Sequence, residues 1–347
     1  MKIKDKKISL DSKPFIIAEM SGNHNQSLER ALKLVRAAAE SGADAIKLQT
    51  YTPDTMTFNS TSKEFYIKDK ESLWDGRSMF DLYNEAHTPW EWHEEIFDYA
   101  NSLGLISFSS PFDDSAVDFL EELDVPAYKI ASFECIDSEL LKKVAATGKP
   151  IIISTGMATI SEIEEAVLLV KSFGCEDLAL LKCTSTYPAN PENTNLKTIP
   201  SMRRIFDCEV GLSDHTMGIG VACAAISSEA TIIEKHFTLD REDGGVDSTF
   251  SLEPKELEQL VIETERAWQS KGKVKFGGTK AEEKPRERRR SLYFMKDLQK
   301  GHRLKEADIK RVRPGNGLEP KYQQIIVGMK ITKDVKEGEP ITWKSFK

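Results

Sequence analysis

The sequence predicts an α/β protein: a (β/α)8 barrel of the TIM type, followed by a small β-rich domain. The first observation is a set of eight short apolar runs, each ending in polar residues. The second is that each run is followed by an amphipathic helical pattern or an irregular segment of helix length, over roughly 250–280 residues, the size of such a barrel. The third is a change of composition after Trp268.

The predicted strands follow one another in a regular order. They contain FIIAE, DAIKLQT, LISFSS, AYKIAS, PIIIST, LALLKCTS, CEVGLS and TIIEKHF. Ser27 is the predicted N-cap of the first helix, which ends at Gly42, with Arg30 in place of the acidic capping-box residue. An insertion rich in aromatic and polar residues occupies positions 51–88.

The domain boundaries are predicted from composition. Residues 1–270 form the barrel, 271–290 a charged linker, and 291–347 a small domain with short β-type runs and glycine turns. A domain of about 57 residues is marginal alone and is expected to pack on a partner. The arginine run 286–290 is interpreted as a solvated or interface segment, because many acidic residues lie beside it.

Composition excludes several classes of protein. A net charge of −8 over 347 residues argues against nucleic-acid binding. The first ten residues are too charged for a signal peptide, and no apolar run approaches the roughly 20 residues of a membrane span. The five cysteines are odd in number and lack metal-type spacing, so buried free thiols and a cytoplasmic location are expected.

Two histidines stand at matched strand ends. His215 follows the run that ends at Ser213, and His236 ends the run with Glu234. A single histidine is more often an ordinary hydrogen-bonded residue, but two at neighbouring strand ends, flanked by carboxylates, predict a shared divalent metal. The open metal positions would suit a Lewis acid acting on a carbonyl group.

The other strand ends predict an anion pocket. Two lysines, Lys47 and Lys129, are expected in the barrel mouth with several hydroxyl groups, which suits phosphate or carboxylate oxygens. Carboxylates near the same mouth could serve as acid, base or charge stabiliser. Residues alone therefore indicate a phosphorylated substrate that reacts with a carbonyl compound.

The motifs IAEMSGNHNQS, GADAIKLQTY, FSSPFD, AYKIASFE, IIISTGM, KCTSTYP, GLSDHT and IEKHF resemble the sialic acid synthase family over essentially the whole chain. Its members condense phosphoenolpyruvate with a 2-acetamido sugar to give a nonulosonic acid. The C-terminal region resembles the antifreeze-like (SAF) domain. Within the family, Met20-Ser21 and the aromatic insertion resemble the pseudaminate branch, and Ser185 stands where neuraminate synthases often have Asn. The pseudaminate precursor is a 6-deoxy diacetamido sugar, and its apolar wall is expected among Trp74, Tyr83, Trp90 and Trp92, at least two of which should instead pack in the core.

The resemblance implies a role for each matching residue. His215 and His236 would bind a divalent metal, Mn2+ first and Mg2+ or Co2+ as alternatives, which makes the sugar aldehyde electrophilic. The groups expected to hold phosphoenolpyruvate or to lie beside it are Lys47, Gln49, Ser110, Lys129, Ser132, Ser154, Ser185, Tyr187 and Ser213. The carboxylates expected around the reacting carbons are Glu19, Glu134, Glu234 and Asp247. Glu134 is the first choice to stabilise charge at C2 or to orient the attacking water.

The resemblance also implies a domain-swapped homodimer in which Arg313 reaches the sugar in the partner's site. Three alternatives stay open. The first is an N-acetylneuraminate or legionaminate synthase of the same family. The second is a metal-dependent sugar-acid aldolase, which needs no phosphate pocket. The third is a non-enzymatic module in which the SAF-like domain binds ice or a partner.

Overall fold

The computed structural model describes residues 1–346. Contacts between residues divide the chain into two compact units, Met1–Gly272 and a second unit that begins at Lys273. A two-stranded antiparallel hairpin, β1 (Lys2–Ile3) and β2 (Lys6–Lys7), opens the first unit. Within residues 1–346, no helix is long and apolar enough to cross a membrane.

Eight parallel strands close into a barrel, which confirms the predicted fold class. Chain order is also spatial order, and the last strand pairs with the first. The strands are β3 (Phe15–Glu19), β4 (Ala45–Thr50), β5 (Ile106–Pro111), β6 (Tyr128–Ile130), β7 (Ile151–Ser154), β8 (Leu178–Cys183), β9 (Glu209–Ser213) and β10 (Ile232–His236).

Alternation along each strand separates two apolar layers. In β3, Ile17 belongs to the cluster that fills the barrel interior, whereas Ile16 and Ala18 belong to the larger cluster under the helices. Ile3 and Ile8, from the first ten residues, join the interior cluster together with residues that begin the strands. The amino-terminal end of the barrel is therefore filled with apolar side chains, and the polar groups collect at the carboxyl ends.

Helices surround the barrel. They are α1 (Leu28–Glu40), α2 (Pro53–Met56), α3 (Met79–Ala86), α4 (His93–Ser102), α5 (Asp114–Glu122), α6 (Ser138–Ala146), α7 (Ile160–Ser172), α8 (Thr198–Phe206), α9 (Gly220–Ser227) and α10 (Pro254–Ser270). The Ser27 side chain accepts a hydrogen bond from the backbone N–H of Arg30, so the predicted cap of α1 is confirmed. For the region of α8 the sequence predicts only an irregular segment, whereas the structure has a helix.

The second unit contains the short helices α11 (Glu283–Glu287) and α12 (Gln323–Ile326) and one antiparallel pair of strands, β11 (Ser291–Phe294) and β12 (Ile309–Val312). Isolated bridges such as Leu298 to Val335 extend the β structure. Its own apolar cluster includes Leu292, Phe294 and Ile341. A small β-rich domain without long helices is what the sequence predicts.

Candidate active site

A buried lysine at the carboxyl end of β4 begins the polar site. The Lys47 Nζ lies 2.5 Å from Glu19 Oε2 and donates to Ser110 Oγ at 3.2 Å. Gln49, two residues along β4, donates to Glu19 Oε1 at 2.9 Å. Lys47 and Gln49 thus face the same way, as the period of a strand requires, and three neighbouring strands contribute to one network.

The second lysine lies across the barrel mouth. Lys129 Nζ donates to Ser154 Oγ at 2.7 Å and is 3.6 Å from Glu234 Oε1. Ser213 donates to the same Glu234 oxygen at 3.1 Å, and Lys47 Nζ is 3.9 Å from the other. Glu234 therefore lies between the two ammonium groups, which brings the predicted lysines into one cluster.

The two buried carboxyl groups of this cluster have different proton affinities. Burial raises the pKa of Glu19 to about 7, against the opposing effect of the Lys47 charge. Burial would also raise the pKa of Glu234, but Lys129 and Lys47 together hold it below its ordinary value. Glu234 is thus the ionised partner of the lysines, and Glu19 can take up a proton near neutral pH.

A glycine brings two predicted serines together. Gly156 follows β7, and its backbone N–H donates to Ser132 Oγ at 3.2 Å. A Cβ atom at this glycine would lie 2.2 Å from Ser185 Oγ and 2.8 Å from Ser132 Oγ. No larger residue fits without displacing one of the serines. The N–H and the two hydroxyl groups form a small cradle of neutral donors beside the lysines.

The two histidines lie side by side, with ring centroids 5.3 Å apart. The Nδ1 of His215 is 3.0 Å from the Thr184 carbonyl oxygen, which only accepts, so Nδ1 carries a proton and Nε2 is the nitrogen left to bind a metal. Burial and the charge of neighbouring cations hold the pKa of His236 well below its ordinary value, so its ring is neutral. Its Nδ1 is buried without a hydrogen bond, 3.7 Å from Asp247 Oδ2.

These donors fit a divalent metal. Two adjacent imidazoles, one oriented by a carbonyl oxygen and one with an unpaired buried nitrogen, are suitable ligands. Residues 1–346 contain no group of three or more His, Cys, Asp or Glu side chains arranged for a metal. A metal held here would therefore rely on the histidine pair, with its other positions taken by solvent or substrate.

Aromatic rings surround the histidines. The Tyr187 ring centroid is 4.4 Å from His215 and 5.4 Å from Phe250. Trp74, from the insertion, lies 5.7 Å from Tyr187 and donates through Nε1 to the Val246 carbonyl at 3.2 Å. Tyr187 is therefore at the site, as predicted, and one residue of the insertion reaches it.

The other aromatic residues expected at the wall separate into two groups. Trp90 stacks on Phe119 of α5, and Trp92 packs edge-on against His24, so both have packing roles. Tyr83 contacts Tyr51, and the nearby Glu134 charge adds to burial in raising its pKa. Trp92 packs against the apolar core under the helices and Trp90 is half-buried, so the expectation that at least two of the four pack in the core stays a prediction.

Glu134 stands apart from the lysine cluster. It lies in a 3-10 turn after β6, half-buried, and its Oε2 is buried without a hydrogen-bond partner. Burial raises its pKa to about 7. Because an unpaired buried carboxylate is costly in a protein interior, its free oxygen is a natural acceptor for a proton or water of a bound reactant.

Some contacts at the site were not predicted. Ser21 donates to Asp247, which fixes that carboxylate near His236. The Cys183 thiol is buried as expected but lies 3.9 Å from His215 Nδ1. The position of Cys183 at the end of the run LALLKC was the sequence signal that could have placed it at the site.

Arg313 belongs to the second unit, where it is exposed. Its role at a sugar site stays a prediction.

Paired histidines, two lysines and a set of carboxylates at the carboxyl end of a (β/α)8 barrel form a cluster of the kind found at enzyme active sites. The NeuB family model matches residues 34–276 and the SAF domain model residues 289–347. The chain belongs to the NeuB family.

The similarity to known proteins extends over nearly the whole chain. A pseudaminic acid synthase of Campylobacter jejuni is 45% identical over 97% of both chains, and one of Helicobacter pylori is 43% identical over 95% of this chain and 96% of its own. An N,N'-diacetyllegionaminic acid synthase of Campylobacter jejuni is 36% identical over 95% of this chain and 99% of its own. The crystal structure of an N-acetylneuraminic acid synthetase from Leptospira borgpetersenii, in complex with citrate, superposes with a TM-score of 0.73 at 33% identity, covering 82% of this chain and 94% of that one.

Proposed function

We propose that the protein is an enzyme that makes pseudaminic acid from phosphoenolpyruvate, water and 2,4-diacetamido-2,4,6-trideoxy-β-L-altropyranose, with release of phosphate. The observation that carries this proposal is the pairing of two buried lysines with the histidine pair at one barrel mouth. The choice of sugar rests on the 45% identity to a pseudaminic acid synthase, against 36% to a legionaminic acid synthase.

The lysine cluster would bind phosphoenolpyruvate. Lys47 and Lys129 provide the positive charge, and the hydroxyl groups of Ser154 and Ser132 provide neutral donors, with Ser132 held by the N–H of Gly156. Protonation of Glu19 near neutral pH would leave the cluster more positive, which favours a multiply charged anion. Gln49, Ser110, Ser185 and Ser213 complete the set around it.

The chemical step would join C3 of phosphoenolpyruvate to the aldehyde carbon of the open-chain sugar. The electron pair of the C2=C3 double bond forms the new bond, and the aldehyde oxygen takes the C=O pair and a proton to become a hydroxyl group. The oxygen of a water molecule bonds to C2 and loses a proton. The resulting C2 hydroxyl then loses its proton as C2=O forms and the bond from C2 to the phosphate oxygen breaks, so that phosphate leaves. Glu134, with its unpaired Oε2, would accept the proton of that water. Glu234, which the two lysines hold ionised, would balance the positive charge that develops at C2, with Asp247 as the second carboxyl group beside it.

His215 and His236 would hold the metal, for which Mn2+ is the first candidate and Mg2+ or Co2+ the alternatives. Bound there, a divalent ion would polarise the aldehyde oxygen. The protein orients the site for it: the Thr184 carbonyl fixes the His215 ring, and Ser21 fixes Asp247 beside His236. We also propose a homodimer with Arg313 acting in the partner's site, and a cytoplasmic location.

Phosphate release from phosphoenolpyruvate tests the proposal. With Mn2+, the altrose-configured 6-deoxy sugar should support release, while N-acetylmannosamine and the legionaminate precursor should not. Removal of metal with a chelator should abolish release, and Mn2+ should restore it.

Phosphate release with only N-acetylmannosamine, or with only the legionaminate precursor, would mean that the protein is a different synthase of the family. Cleavage of pseudaminic acid without any phosphate release would indicate an aldolase. A folded double variant, H215A/H236A, with unchanged activity would remove the histidine pair from the mechanism.

A further inference from the structure

A fully buried ion pair lies behind the two histidines. Lys235 Nζ is 2.9 Å from Asp214 Oδ2, and each side chain is 1% exposed. Side chains alternate between the two faces of a strand, and His215 and His236 face the barrel interior. Their chain neighbours Asp214 and Lys235 therefore face away from it. The pair therefore cannot touch substrate, yet each partner is the chain neighbour of a histidine.

The hydrogen bonds of this pair all end on the segment that carries His215. Lys235 Nζ also donates to the Thr216 carbonyl at 2.6 Å, and the Thr216 N–H donates to Asp214 Oδ1 at 2.9 Å. The residues before and after His215 are thus both fixed by the same two side chains. The His215 carbonyl is occupied as well, by the N–H of Ala189 at 2.9 Å.

Backbone pairing alone holds this side of the barrel weakly. Strand β10 pairs with β3 at five positions but with β9 at only two, Ile233 with Leu212 and Glu234 with Ser213. One further backbone bond, from Asp214 N–H to the Glu234 carbonyl, follows the last pair. His215 lies beyond the end of this short ladder, so its position relative to His236 depends on contacts other than the ladder.

We propose that the Asp214–Lys235 ion pair is a positioning device that sets the distance and orientation between His215 and His236 for a shared metal ion. It joins the end of β9 to β10 where the strand ladder stops. Groups that orient metal ligands from behind typically change metal affinity by about tenfold to a hundredfold when they are removed. The inference rests on the proposed metal site but assigns residues that do not touch the metal.

The test compares Mn2+ binding, followed by the electron paramagnetic resonance signal of free Mn2+, in full-length variants. D214N/K235M removes both charges at nearly constant volume, which avoids leaving one buried charge unpaired. We expect its Mn2+ affinity to fall by about tenfold to a hundredfold, and kcat to fall at saturating phosphoenolpyruvate, with KM for phosphoenolpyruvate within about twofold of the wild type.

The matched control is the Arg203–Glu209 pair at the start of β9, half-buried with a 2.8 Å contact. R203M/E209Q should lower the melting temperature and leave Mn2+ affinity unchanged. If D214N/K235M does not fold, D214N/K235Q also removes both charges, keeps an oxygen for the Thr216 N–H and should still weaken Mn2+ binding.

The outcomes separate this inference from the proposed function. Suppose that Mn2+ binding is lost in H215A/H236A but retained in D214N/K235M, or in D214N/K235Q where only that variant folds. This result would overturn the positioning role and leave the metal site intact. An equal loss of affinity in R203M/E209Q would also overturn it, because the effect would then be general destabilisation. A wild-type protein that binds no Mn2+, Mg2+ or Co2+ would overturn both.

Discussion

In the proposed reaction, Glu134 is a single residue that would serve catalysis at a cost to stability. Its Oε2 lies buried without a partner, and burial raises its pKa to about 7. A group with this proton affinity can both accept and return a proton near neutral pH. The same burial makes the ionised form unfavourable in the folded protein.

Replacing Glu134 by Gln should lower kcat by about a hundredfold or more, because general acid–base groups typically contribute that much. In the wild type, activity that needs the Glu134 carboxylate should fall as the pH drops through about 7. A pH–rate profile of both proteins is the measurement. E164Q, on the exposed face of α7, is the control and should keep wild-type activity.

The E134Q substitution should lower activity but raise the free energy of unfolding. The folded-state pKa of about 7 exceeds the ordinary 4.5, so the folded state binds the proton more tightly and loses stability as the pH rises between these values. E134Q should therefore be more stable than the wild type at pH 8, by at most about 3 kcal/mol. The gain should shrink towards pH 5; equal melting temperatures at pH 8 would contradict the buried, ionised carboxylate.

At the scale of elements, the insertion 51–88 brings an aromatic ring to the barrel mouth. Through Trp74 it reaches Tyr187, which packs on His215. The Trp74 indole is anchored to the Val246 carbonyl, next to Asp247 in the chain. An apolar face at this place suits the methyl group of a 6-deoxy sugar, whose aldehyde end would lie at the histidines.

Replacing Trp74 by Ala should reduce selectivity for the 6-deoxy sugar. Loss of apolar contact with about one methyl group corresponds to roughly tenfold or more in kcat/KM, whereas KM for phosphoenolpyruvate should change little. F58A removes an exposed aromatic ring from the same insertion and should have no effect. Unchanged relative kcat/KM values for the 6-deoxy sugar and N-acetylmannosamine in W74A would exclude Trp74 from the sugar site.

Much of the barrel could be predicted from strand and helix patterns. The run FIIAE matches β3 at both ends, and Lys47 and Gln49 share a face because strands have a period of two. Helix α8 was missed because its first residue follows no side-chain cap and Pro200 falls at its third position. Proline is tolerated there, since the first backbone N–H groups of a helix lack partners within it.

Pairing between distant side chains was harder to predict. Ser21 and Asp247 are 226 residues apart, and no local pattern links them. The sequence places Asp214 and Lys235 beside the histidines but does not pair them, because alternation shows which way a side chain points and not which residue it meets. The Gly156 cradle likewise requires three loops to meet, which depends on barrel closure.

At the scale of the whole molecule, the chain consists of two units with separate cores. Arg313 is exposed in the second unit, and the peptide bond that follows it is cis. If the second unit of one chain completes the barrel site of another, Arg313 can be removed from one chain and the histidine pair from the other. A mixed dimer of these chains would then contain one complete site.

Mixing R313A with H215A/H236A after subunit exchange should therefore restore activity, although each variant alone is inactive. Random exchange in a dimer would rebuild about one quarter of the sites. R313A mixed with wild type in the same way provides the reference for exchange. Absence of recovery despite demonstrated exchange would place Arg313 in its own chain's site, or outside any site.

The apolar filling of the amino-terminal end of the barrel has a consequence for the sequence of binding events. Ile3 and Ile8 join the interior cluster there, so reactants reach the polar groups through the carboxyl end. Lys129 lies within β6, whereas His215 follows the end of β9, so the anion pocket is the deeper of the two. A sugar seated first would obstruct the path to the lysines. On the proposed assignment of these two sites, we predict a compulsory order in which phosphoenolpyruvate enters before the sugar and phosphate leaves after the sugar acid.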